Sequence, residues 1–269
     1  MSLSLEMDAG IAYLSFDHGK ANEMGRAQLE DFVAICDRLE AGEARVLVSY
    51  SRRRSRKGTP IFVAGANVTE RAGWSRDEVA AHVRFQRGIL RRVRALPLFH
   101  VAVINGVALG WGTEYALTAD YRIGCKESVY ALPETGLGIL PGAGGTAELW
   151  AQVGLPQALR LGMTGERINA DEAWRIGLIQ EVQPDVDAGL ARAKALGERV
   201  ARNSPTAVAA FKRAALAAVG ASEAERVEIE ATAYEHCLDS GEAAIGRTHF
   251  ANIRAGEPVP WGPLEIFET

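Results

Sequence analysis

VALGWGTEYALTAD, residues 107–120, is the stretch on which the reading of this chain turns. Gly110 and Gly112 flank a tryptophan, and Glu114 follows where an apolar helix begins. Glycines ahead of a helix leave backbone N–H groups pointing outward at its positive end. Such a place suits an oxyanion that forms only during a reaction. An ordinary tight turn has the same sequence, and the stretch alone leaves both open. Glu114 also has two readings. In a first helical turn it complements the dipole. Beside Ala116, Leu117 and the preceding VALG, however, the turn faces the interior, where a carboxylate needs a partner or a job.

Working outward, FHVAVINGVALG (99–110) reads as a strand running into the glycines, and SVYALPE (128–134) as a strand ending at Glu134. GLGILPGAGGTAELWAQVG (136–154) is a glycine-rich loop feeding a helix. Upstream, IAYLSF (11–16), ARVLVSY (44–50) and PIFVAG (60–65) read as strands. Leu29, Phe32, Val33, Ile35 and Leu39 recur at helical spacing across 24–41. Ser75, with Glu78 three residues later, makes a capping box for a long helix reaching residue 96. Short strands alternating with helices predict an α/β domain. From about Asp187 the strands vanish, and 187–203, 204–220, 222–240 and 241–256 read as four helices, Pro205 and Ser222 marking two starts. We divide the chain into a core, 1–195, and a helical oligomerisation or lid region, 196–269.

Composition excludes several classes. A chain of 269 residues, 48% of them hydrophobic, has ample material for a core. Its net charge of −4 exerts no global pull on nucleic acid or anionic membrane. Cys36, Cys125 and Cys237 are odd in number and far apart, which predicts reduced thiols in a cytoplasmic protein. No basic leader with an apolar segment is evident, and no apolar run reaches the ~20 residues of a membrane span. The five histidines lack metal-ligand spacing, so no metal site is expected. ALGWG and LPGAGG fit neither G-x-G-x-x-G in a first βα unit nor a G-K-[ST] loop, and we reject both as nucleotide motifs. The basic run from Arg52 to Lys57 reads as a solvated loop. Glu114 and Glu134 remain: two acids in unlike settings can divide into proton donor and base.

Several blocks together resemble one family. FVAGANVTE (62–70), VINGVALGWGTEYALTADYRI (103–123) and YALPETGLGILPGAGGTAEL (130–149) are similar, in order and spacing, to the enoyl-CoA hydratase/isomerase (crotonase) superfamily. GERINADEAWRIGLIQEV (165–182) resembles its next block, and HGKANEM (18–24) a shortened N-terminal signature. The resemblance implies a spiral of ββα units with C-terminal helices that pack trimers, often paired into hexamers, and a CoA thioester as substrate with no other cofactor. It places the two amides that polarise the thioester carbonyl at Ala66 and Trp111. It places the hydratase acid pair at Glu114, for water activation, and Glu134, for the α-proton, with the Gly142 amide positioning the water. Lys20, Ala64, Ala66, Asn67, Val68, Thr69 and Trp111 fall where CoA or substrate is contacted. The family commonly has glycine at Trp111, and often Asp and Lys at Asn67 and Thr69. A tryptophan there implies that no positive φ is needed. Its indole either lines the acyl pocket or packs behind the turn. Isomerase, thioester hydrolase and RNA-binding relatives are the alternatives to a hydratase.

Overall fold

Leu3, Leu5 and the Ile11–Phe16 alternation open the chain as a hairpin in the computed structural model, which describes residues 3–266. Its strands are β1 (Leu3–Asp8) and β2 (Ile11–Phe16), antiparallel from Leu3↔Phe16 to Asp8↔Ile11. The sequence reading missed β1. Most of its residues are exposed on a sheet edge, so no buried face imprints a period on them. α1 (Arg26–Glu40) follows, burying Leu29, Phe32, Ile35, Cys36 and Leu39. The chain then repeats strand, strand, helix: β3 (Val46–Ser51), β4 (Ile61–Val63) and α2 (Arg76–Ala95); β5 (Phe99–Ile104), β6 (Val107–Leu109) and α3 (Trp111–Ala116); β7 (Tyr121–Cys125), β8 (Val129–Ala131) and α4 (Gly145–Val153). α5 (Leu155–Thr164), β9 (Ile168–Asn169), α6 (Ala170–Arg175), β10 (Glu181–Gln183) and α7 (Val186–Ala201) complete the core.

The first strand of each repeat joins a six-stranded sheet, β1-β2-β3-β5-β7-β10, and the second a four-stranded sheet, β4-β6-β8-β9. Each repeat therefore advances the chain one strand along both sheets, a spiral. β7 was also missed from sequence because Arg122 lies within it. Its guanidinium is buried and satisfied, donating to Leu178 O at 2.6 Å, Ala119 O at 2.7 Å and Gln152 Oε1 at 2.6 Å. One face of the large sheet packs Ile11, Val46, Val48, Val101, Val103 and Ile123 under α7, whose Ala193 is buried there. Gly189 and Gly197 let that helix approach; a Cβ on Gly189 would sit 2.6 Å from Val103 Cγ1. Residues 195 and 196 thus lie inside a helix that packs on the core sheet.

Beyond it come α8 (Pro205–Ala217), α9 (Glu223–Asp239), α10 (Glu242–Thr248) and α11 (Phe250–Ala255). The fourth helical stretch is broken at His249, which caps both α10 and α11. Ser75 caps α2 as its capping box predicted, its Oγ accepting from the Glu78 amide at 3.3 Å. Cys36, Cys125 and Cys237 are free thiols. Among the described residues no helix is long and apolar enough to cross a membrane.

Close backbone packing seats α3. A Cβ on Gly112 would collide with the Val63 carbonyl of β4 and lie 3.0 Å from Val63 Cβ. Gly112→Ala should therefore destabilise by about 3 kcal/mol, since backbone in two elements must shift to relieve the overlap. Chemical denaturation would check this; a loss below about 1 kcal/mol would mean that the helix slides without resistance.

Candidate active site

Three connections that follow strands of the small sheet meet around one cavity of about 210 Å³. After β4 come Ala64 and Ala66; between β6 and α3 comes Trp111; after β8 comes Glu134, in a 3-10 turn over Pro133–Leu137; before α4 comes the glycine loop with Gly142. Glu114, Val68 and Ala143 also line it. Residues separated by up to some eighty positions converge because the spiral stacks equivalent loops at the same edge.

Glu114 projects from the first turn of α3 and is only 4% exposed. Its Oε1 accepts from the Ala143 amide at 2.8 Å and the Gly145 amide at 2.9 Å. Burial raises its proton affinity, while the amides of Gly145, Ala143 and Gly144 oppose that rise. The glycine loop thus grips an acid rather than a phosphate. A Cβ on Gly145 would crowd both Pro141 Cβ, at 2.7 Å, and Glu114 Oε1, at 3.2 Å.

Glu134 has a different setting. Its Oε2 is buried with no hydrogen-bond partner. Burial, and secondarily the charge of Glu114, push its carboxyl up to about 7. Gly110 makes room for it. Its φ is +49°, and a Cβ there would run into Glu134 Oε1. The two acids sit in unlike settings: Glu114 is held by the glycine-loop amides, whereas Glu134 has only its own backbone amide acting on it and an Oε2 without a partner.

Ala66 and Trp111 line the same cavity. Met24 and Ala66 form a parallel bridge in which Met24 N donates to Gly65 O at 2.9 Å and Asn67 N donates to Met24 O at 2.8 Å. The ladder uses the neighbours of Ala66, so the Ala66 N–H points the other way. Trp111 is the first residue of α3, and the bond closing that turn is Glu114 N to Gly110 O at 2.9 Å. Its amide is one of the helix's N-terminal orphans. Trp111 has no positive φ, as expected; Gly110 carries it instead. The indole packs behind the turn. It is 2% exposed, stacked on Tyr115 with centroids 5.5 Å apart, and tilted against Phe32 at 6.0 Å.

Ser49 Oγ lies 2.8 Å from His100 Nε2 and 2.6 Å from Tyr115 Oη, which mimics a nucleophile–base pair. Both Ser49 and His100 are fully buried, and burial pushes His100 down to about 3, leaving it neutral. This is a core hydrogen-bond chain, outside the cavity.

Lys20, Asn67 and Thr69 do not line the cavity. Thr69 Oγ1 donates to Asn67 Oδ1 at 2.6 Å, and Lys20 is exposed on the loop that Arg53 holds through Asp17 at 2.7 Å. Arg52 pairs with Asp187 at 2.8 Å and Arg54 with Glu127 at 3.6 Å, all largely exposed, so the basic run is a solvated loop. Arg71, Gln86, Val83, Leu137, Ile139 and Leu140 also line the cavity, and the sequence reading named none of them. A signal existed for one: His82 and Gln86, one turn apart, interrupt the apolar face of α2.

A two-sheet ββα spiral with a pair of carboxylates and outward backbone amides in one cavity defines a class, and comparison with known proteins agrees with it. The sequence profile of the enoyl-CoA hydratase/isomerase family matches residues 6–257. The chain is 31% identical to crotonyl-CoA hydratase of Syntrophomonas wolfei over 258 residues, 94% of this chain and 96% of that one. It is 32% identical over 252 residues to the human enoyl-CoA hydratase domain-containing protein 2, mitochondrial, covering 92% and 85%. A crystal structure of enoyl-CoA hydratase from Bacillus anthracis superposes with a TM-score of 0.88 at 31% identity, over 97% of this chain and 99% of that one. The chain belongs to the enoyl-CoA hydratase/isomerase family and has the crotonase fold.

Proposed function

We propose that the protein is a 2-enoyl-CoA hydratase, a hydro-lyase that adds water across the α,β double bond of an acyl-CoA thioester to give the 3-hydroxyacyl-CoA. The observation that carries this reading is the acid pair: Glu114 clamped by two amides of the glycine loop and Glu134 with an unpartnered Oε2, both lining one cavity. Burial outweighs the amide donors and raises the proton affinity of Glu114 above the ordinary carboxylate value, which makes its carboxylate the stronger base. Glu114 takes a proton from water as its oxygen attacks the β-carbon. The Gly142 amide, on the same loop, positions that water. Electrons pass through the double bond to the thioester oxygen, where the Ala66 and Trp111 amides receive the charge. Glu134, held up to about 7, then gives its proton to the α-carbon. The thioester is itself the electron sink, so the reaction needs no metal, flavin or nicotinamide, only the CoA of its substrate.

The CoA arm runs out of the cavity past Ala64 and Val68 toward Asn67, Thr69 and Lys20. The protein works as a homotrimer or homohexamer; Phe211, Val227, Tyr234 and Phe250 are exposed on the C-terminal helices, which supports burial against further copies. Incubation with crotonyl-CoA tests the reaction. Loss of the conjugated-enoyl absorbance with 3-hydroxybutyryl-CoA as product is the expected result. Release of free CoA would replace the proposal with thioester hydrolysis. Conversion only of a 3-enoyl ester to its 2-enoyl isomer would replace it with isomerisation.

A further inference from the structure

One wall of the cavity carries polar groups for which hydration has no use. Gln86 is 3% exposed, lines the cavity, and its Nε2 is buried without a hydrogen-bond partner. Arg71 lines the same cavity from the 3-10 turn Val68–Arg71 that follows Ala66, and its Nε is likewise buried without a partner. The charge of Glu70 acts on Arg71, but neither Glu70 oxygen is hydrogen-bonded to that Nε. Glu70 Oε2 accepts from the Arg26 amide at 3.1 Å, and Oε1 lies 3.3 Å from His82 Nε2. Buried donors without acceptors are costly to a fold and persist where something else supplies the acceptor. Here two residues that carry such donors, one of them cationic, line the cavity from separate elements, while Val83, Leu137, Ile139 and Leu140 line it with apolar side chains. A guanidinium and an amide lining one cavity offer donors that a single carboxylate can accept.

We propose that the acyl group ends in a carboxylate. The substrate class is then the CoA monothioester of a short unsaturated dicarboxylic acid, its free carboxylate received by Arg71 and Gln86 while the double bond lies between Glu114 and Glu134. A cavity of about 210 Å³ sets the limit to a short chain. The position of the double bond rests on the hydratase reading; recognition of the carboxylate does not.

The test compares 4-carboxybut-2-enoyl-CoA with its neutral isostere, 5-methylhex-2-enoyl-CoA. Wild type should favour the acid by about 30-fold in kcat/KM, the range of a charge-assisted hydrogen-bond pair. Arg71→Met and Gln86→Leu should each bring that ratio down by about 10-fold, and Arg71→Lys should restore part of it. A wild-type ratio at or below one, or a ratio that Arg71→Met leaves unmoved, overturns the proposal while hydration of either ester leaves the hydratase standing. If neither ester is hydrated, the hydratase reading falls, and calorimetric binding of the saturated esters 4-carboxybutanoyl-CoA and 5-methylhexanoyl-CoA decides recognition. Tighter binding of the acid, lost in Arg71→Met, sustains the proposal; equal affinities overturn it.

Discussion

Glu114→Gln should lower kcat for hydration of crotonyl-CoA by about 10³-fold, within the range that a positioned general base contributes. The substitution is isosteric. Its amide oxygen can keep both bonds from Ala143 and Gly145, at 2.8 and 2.9 Å, so the loop and α3 should hold their places. What disappears is the ability to take a proton from water. Binding of a saturated acyl-CoA, which needs only the amides of Ala66 and Trp111 and the cavity walls, should change little. A variant that keeps more than a tenth of the wild-type kcat would sink the assignment of Glu114 as base. One that loses thioester binding as well would mean that its role is to brace the loop.

Glu134→Gln should combine two opposite effects. Without the proton donor, kcat falls by about 10²-fold to 10³-fold. Stability should move the other way, and its sign depends on pH. In the fold the carboxyl is held up at about 7 against a usual 4.5, because burial disfavours the charge. A raised value means that the acid form suits the fold. Its stability contribution is complete below about pH 4.5 and is lost as pH rises through 7. The whole interval corresponds to roughly 3 kcal/mol by linkage, and solvent reaching this half-buried side chain screens that to about 1–2 kcal/mol. Urea unfolding should accordingly show Glu134→Gln more stable than wild type by that amount at pH 8, and level with it at pH 4. Equal stability at both pH values would refute the claim that the ionised acid is held under strain. The expected gain in stability with loss of turnover is the usual exchange of stability for activity at a functional site.

Placing an acid between unlike environments explains the tryptophan as well. Glycine was dispensable at Trp111 because Gly110 takes the positive φ and Gly112 takes the close approach to Val63. Only the amide of Trp111 needs to face the cavity. Its indole is free to turn inward, where it joins Phe32 and Tyr115 and stiffens the turn that presents that amide.

Short-range pattern made much of this protein legible from its sequence. The Ser75–Glu78 capping box, the helical spacing of Leu29 to Leu39, the strands around residues 46–51 and 99–104, and the glycines before Glu114 are each defined by residues within a turn or two of one another. The two glutamates could be picked out because carboxylates at the edges of apolar segments conflict with their surroundings. Tertiary structure decided what such pattern cannot carry. Strand β1 shows no period because the edge buries little of it, and β7 hides its own because Arg122 is satisfied by carbonyls and an amide that arrive from elsewhere. The clamp on Glu114 spans 29 and 31 residues, the tilted contact of Trp111 with Phe32 joins two distant elements, and Arg71 and Gln86 come to line one cavity from separate elements. Each of these depends on how the spiral closes. A residue's partners along a helix or strand follow from its spacing, whereas its partners across the core follow from which loops the stacked repeats bring to one edge.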